Sequence, residues 1–149
     1  MRTRILLVSL LAIVTLTLTV HSFSNQGENE PWSEKQLMNT ADLAKIVSDS
    51  SAKKPYIYSI GPAGMILYST ATGDAKETEN LERLKVQLSK LPKDADIVIY
   101  CGCCPFDKCP NIRPAFKLLN EMKFTNHKLL NISQNLKVDW IDKGYPMNE

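Results

Sequence analysis

The stretch Ile97–Arg113, IVIYCGCCPFDKCPNIR, decides how this chain folds. It opens on Ile97, Val98, Ile99 and Tyr100, a β-branched and aromatic run without a polar break. Such a run is the signature of a strand buried on both faces, and strands of that kind belong to parallel sheets covered by helices. The run ends on Cys101, and Cys103, Cys104 and Cys109 follow, so all four cysteines of the chain fall within nine residues. After them Ala115, Phe116, Leu119 and Met122 recur at helical spacing, with Asn111 placed to cap that helix and Pro114 in its first turn. A strand, a loop and a helix in this order set Cys101 at the carboxyl end of a parallel strand, where open α/β sheets bind their ligands. The unpaired N–H groups and positive dipole end of the helix face the same loop and favour a thiolate there.

Outward from this stretch, strand and helix patterns alternate. Asn39 or Thr40 begins a helix with Leu43, Ile46 and Val47 on its apolar side, and Tyr56–Ile60 reads as a short buried strand ended by the turn Gly61-Pro62-Ala63-Gly64. Met65–Tyr68 reads as a further short strand and Ser69–Glu79 as loop. Leu81, Leu84, Leu88 and Leu91 form an amphipathic stripe that Pro92 stops. Lys128–Ile132 is a last strand, and Val138–Lys143 a short helix before Gly144-Tyr145-Pro146. This alternation predicts an α/β fold of three layers, a central mostly parallel sheet with helices on both faces.

Residues 1–24 read as a signal peptide. Arg2 and Arg4 precede the apolar run Ile5–Val20, and Ser22 and Ser24 offer small residues for cleavage. The run is short for a membrane span, although an uncleaved 5–20 segment is the alternative that would leave the chain membrane-anchored. Residues 25–31 form a polar extension, and 32–149 one domain. The whole chain has 18 Lys and Arg against 16 Asp and Glu; loss of Arg2 and Arg4 leaves 16 of each. That balance argues against nucleic acid as a partner and against a membrane surface after cleavage. An exported compartment lets disulfides persist. Adjacent Cys103 and Cys104 make a strained pair, so Cys109 is the natural partner of one of them, across Pro105–Lys108.

The order of elements, with Ile97–Cys101, the helix Arg113–Phe124 and Asp139-Trp140 followed by Gly144-Tyr145-Pro146, resembles a single-domain rhodanese, the sulfurtransferase family. The likeness runs from about Trp32 to Pro146. It implies that Cys101 is catalytic, accepting sulfane sulfur from a small donor as a persulfide and passing it to a thiol or other nucleophilic acceptor, without a cofactor. It implies a substrate-binding loop of Gly102, Cys103, Cys104, Lys108, Asn111 and Arg113, with Cys103, Cys104 and Cys109 as redox or disulfide candidates. The loop from Cys101 to Asn111 is longer than the family's and adds three cysteines. Ser59, Pro62 and Met65 stand where the family carries polar or charged residues.

Two other chemistries fit the same residues. Cys101-Gly-Cys103-Cys104 contains a C-x-x-C spacing at a strand end, as in thiol–disulfide proteins. Four thiolates also make a metal-binding module, for which the crowded spacing suits Cu(I) better than Zn(II). A phosphatase-like cradle is excluded, because Asp107 stands where an arginine is needed. The bland readings are that Lys108 is a solvated lysine and that Arg113 pairs with an acidic neighbour. In the same vein Asn111 is a helix cap, Trp32, Trp140 and Tyr145 are packing residues, and His127 is a surface residue after a turn.

Overall fold

The computed structural model describes residues 30–148. The signal peptide read at 1–24, and all of the polar extension but Glu30 and Pro31, lie outside the described residues. Those two are docked: Glu30 pairs with Arg113, and the Pro31 carbonyl accepts from Asn120 Nδ2 at 2.8 Å.

Five strands, β1 (Leu37–Asn39), β2 (Tyr56–Ser59), β3 (Ser69–Ala71), β4 (Ile97–Tyr100) and β5 (His127–Asn131), form one sheet in the order β1-β5-β4-β2-β3. Every neighbouring pair is parallel, with Ile97–Tyr100 in register with Tyr56–Ser59 on one side and Ile97–Ile99 with His127–Leu129 on the other. The helices are α1 (Thr40–Ser48), α2 (Thr78–Leu88), α3 (Ile112–Glu121) and α4 (Leu136–Asp139), with single 3-10 turns at Glu34–Gln36, Phe106–Lys108 and Ile141–Lys143. The expected three-layer α/β architecture is what the chain adopts.

The unbroken apolar run of β4 is explained by its place in the middle of the sheet, where side chains alternate between two buried layers. Ile97, Ile99 and Cys101 point to the layer holding Leu84 and Leu88 of α2 and Ala115, Phe116 and Leu119 of α3. Val98 and Tyr100 point to the other, with Leu43, Ala44 and Val47 of α1, Leu136 of α4 and Trp140 just after it. Each fully buried Leu or Ile contributes about 1.5–3 kcal/mol. The α4 layer closes on itself: Gly144 takes φ 69°, turning the chain so that Tyr145 meets the Trp140 ring edge-on at 5.2 Å and Pro146 O accepts from Trp140 Nε1 at 3.0 Å.

Several local expectations are corrected. β1 carries no distinct signal, being three residues that merge into the cap of α1. The third strand is not Met65–Tyr68 but Ser69–Ala71, inside the stretch read as loop. Ile66 is drawn fully into the core, where its N–H donates to Tyr100 Oη at 2.9 Å, and Tyr68 takes a left-handed φ of 66°; pairing with β2 begins only beyond that corner. Val138–Lys143 is not one helix but the end of α4 and a separate 3-10 turn, broken at Trp140. His127 is not a surface residue. It is buried in β5 against Phe116, with Nε2 at 2.9 Å from Asn120 Oδ1, and burial lowers its pKa.

Candidate functional site

Cys101 follows the last residue of β4 and is 2 % exposed. Its Sγ lies 3.3 Å from Cys103 Sγ and 3.3 Å from Asn111 Nδ2. Cys103 Sγ is in turn 3.3 Å from Cys104 Sγ and 3.9 Å from Cys109 Sγ. All four cysteines are free thiols; Cys101 and Cys109 are buried, Cys104 is half-buried and Cys103 is exposed. The structure therefore brings the sequence candidates Cys101, Cys103, Cys109 and Asn111 together. Cys103, rather than Cys104, is the near neighbour of Cys101, so the C-x-x-C pair is not the close one.

Two glycines shape this end of the sheet. Gly102 takes φ 81°, and a Cβ there would come within 2.9 Å of Ala63 Cβ and Leu136 Cβ. Its carbonyl accepts from Leu136 N–H at 2.8 Å, so the residue turns the chain out of β4 and pins it to α4. Gly61, a turn residue by its sequence, lies just beyond β2, the neighbour of β4. A Cβ there would fall 2.2 Å from Cys101 Sγ, so the thiol occupies the space where a side chain would be. A glycine just after a strand that pairs with the cysteine's strand is the signal that could have found it. Beyond Cys104 the loop is tied down by Phe106 N–H, which donates to Ile132 O at 2.9 Å, and by its 3-10 turn.

Asn111 is not the helix cap it was expected to be. It stands before α3 in αR conformation with no capping bond. Its buried amide works across the fold instead, Nδ2 donating to Cys101 Sγ and Oδ1 accepting from Lys76 N–H at 3.0 Å. The Cys101 thiol is lowered to about 5, first by the hydrogen bond from Cys109, against the opposing effect of burial, then by Asn111 and by the N–H and thiol of Cys103. Cys103 is pushed up to about 12, first by burial and then by its bonds to Cys101 and Cys104. Cys109 is pushed far above the usual thiol range, because its proton is committed to Cys101 and because it is buried. The three sulfurs thus carry one negative charge, on Cys101. Cys109, Asn111 and Cys103 are the neighbours that stabilise it.

Lys108 is exposed at the outer end of the 3-10 turn. Arg113 is engaged: it pairs with Glu30, donates to Asp107 O at 2.9 Å, and lies 5.7 Å from the Trp32 ring centre. Its role as placed is to hold the outside of the loop against Trp32, which itself packs on Phe106 and Phe116. Trp140 and Tyr145 are packing residues of the opposite layer, as expected.

Comparison with known protein families, with curated proteins and with solved structures found no match.

Proposed function

We propose that this protein is an exported, rhodanese-like sulfur carrier that holds sulfane sulfur as a persulfide on Cys101. The observation that carries this reading is a buried thiol at the carboxyl end of the central strand, with Asn111 Nδ2 and Cys103 Sγ each 3.3 Å from its sulfur. Donors placed around one sulfur stabilise its thiolate, and the thiolate is the nucleophile of sulfur chemistry.

In the loading step the Cys101 thiolate attacks the outer sulfur of a donor such as thiosulfate or a polysulfide. A bond forms between Cys101 Sγ and that sulfur, the donor's own sulfur–sulfur bond breaks, and the remainder leaves with the electron pair as sulfite or a shortened polysulfide. In the discharge step a nucleophilic acceptor, such as a thiolate, attacks the outer sulfur and Cys101 leaves as a thiolate. A weakly basic thiolate is a good leaving group, so the same donors serve both steps. The test is intact-mass analysis of the reduced protein after incubation with thiosulfate or polysulfide. Wild type gains one sulfur atom and Cys101→Ser gains none; absence of the gain in wild type, or its persistence in Cys101→Ser, overturns the reading.

A further inference from the structure

We propose that Cys101, Cys103 and Cys109 form a trigonal binding site for Cu(I), with Cys104 outside it. The three Sγ atoms all lie within 4.8 Å of one another. Cys103 is 3.3 Å from Cys101 and 3.9 Å from Cys109. A first-row d10 ion bonded to thiolate at about 2.3 Å separates the sulfurs of a planar three-coordinate site by about 4.0 Å. The spacings of 3.3 and 3.9 Å lie below that figure and the third is within 4.8 Å, so the first two need open by only a fraction of an ångström.

The donor set selects the ion. Among the described residues no imidazole or carboxylate joins the three sulfurs, which leaves nothing to attract Mg(II), Ca(II) or Mn(II). Structural Zn(II) is almost always four-coordinate, and the one further sulfur, on Cys104, lies outside the group of three, 3.3 Å from Cys103 Sγ. Three soft ligands suit Cu(I). Two of them are buried, while Cys103 is exposed and gives the ion a way in. Phe106 and Ile112 pack in the same apolar cluster as Cys101 and Cys109. Binding is ligand exchange without redox: Cys101 bonds the metal as the thiolate it already is, the Cys103 and Cys109 thiols each give a proton to solvent as their sulfurs bond it, and copper stays Cu(I) throughout.

This site does not depend on the persulfide chemistry, and its test uses no sulfur donor. The reduced, metal-free protein is titrated anaerobically against a chromogenic Cu(I) chelator. The expected result is one Cu(I) withdrawn per chain. Because Cys103 is exposed, Cys103→Ser is expected to fold normally, and it should weaken binding by at least about tenfold, a loss already typical of outer-shell partners of a metal. Cys104→Ser should bind as wild type does. Failure to withdraw copper from the chelator, equal weakening by Cys104→Ser and Cys103→Ser, or displacement of Cu(I) by equimolar Zn(II) would each overturn the proposal.

Discussion

Tyr100 and Cys101 are consecutive and both buried, yet they face opposite layers of the sheet and are held in different ways. The Tyr100 hydroxyl is fixed by three oxygen and nitrogen partners: it accepts from Ile66 N–H at 2.9 Å, donates to Gly64 O at 3.1 Å, and lies 3.0 Å from Ser69 Oγ. These bonds lock the end of β4 to the segment that leads into β3. The sulfur contacts around Cys101 are longer, 3.3–3.9 Å, and intrinsically weaker. The cluster is held in place by its surroundings, namely Gly61, the Gly102–Leu136 bond and the Phe106–Ile132 bond. One step along a strand thus separates scaffold from chemistry. Substitutions on the Tyr100 side should cost stability and leave the thiol as it is, whereas those around Cys101 should change its ionisation.

The strongest test of that division is Trp140→Ala. Trp140 is fully buried and closes the α4 layer, so truncation should cost about 3–5 kcal/mol in urea unfolding. The thiolate absorbance of Cys101 in the folded variant should titrate as in wild type; a displaced midpoint would show that the two layers are coupled. Gly61→Ala crosses the division. Its Cβ would overlap Cys101 Sγ, costing about 3 kcal/mol at the upper end for overpacking, and it should also push the sulfur off Asn111 and raise the midpoint. Tyr100→Phe removes one oxygen and leaves Ile66 N–H and Gly64 O without their partner. The expected loss is about 1–2 kcal/mol with no change in the thiol titration.

The sequence makes the two sides unequally legible. Alternation of β4 between two apolar layers follows from an uninterrupted Ile-Val-Ile-Tyr run, and the stripe of Leu84 and Leu88 from its spacing, because both are periodicities imposed by burial. β1 and β3 escape because each is a three-residue edge strand, too short for a period to register. The turn before His127 points to the surface, but its burial is set by Phe116, which lies across the fold on α3. At the site, Cys101 is placed by the strand before it. Asn111 is misread because a polar residue before a helix has a local use as a cap, and only the fold shows its amide turned towards a thiol ten positions earlier. Gly61 and the gathering of Cys103 and Cys109 around Cys101 are likewise products of chain packing that spacing does not encode.

The smallest expected change in stability, and the sharpest test of the chemical side, comes from Asn111→Leu. Leucine keeps the branching and the four heavy atoms of the asparagine side chain, and the Lys76 N–H it abandons is only partly buried and can turn to water. What disappears is the amide donor to Cys101 Sγ. A donor to the charged form lowers a thiol's pKa, so its removal must move the pKa up, from about 5 towards the ordinary value of 9.0. In reduced, metal-free wild type, a single thiolate should ionise near pH 5, while Cys103 stays protonated to about pH 12. In Asn111→Leu that ionisation should occur at higher pH, and in Cys109→Ala at higher pH still, since Cys109 is the larger of the two lowering influences. Near neutral pH both variants would then hold less thiolate, and uptake of sulfane sulfur should slow in the same order. If Asn111→Leu leaves the ionisation at pH 5, the amide is a structural brace for Lys76 and the thiolate is held by the neighbouring thiols and the Cys103 N–H.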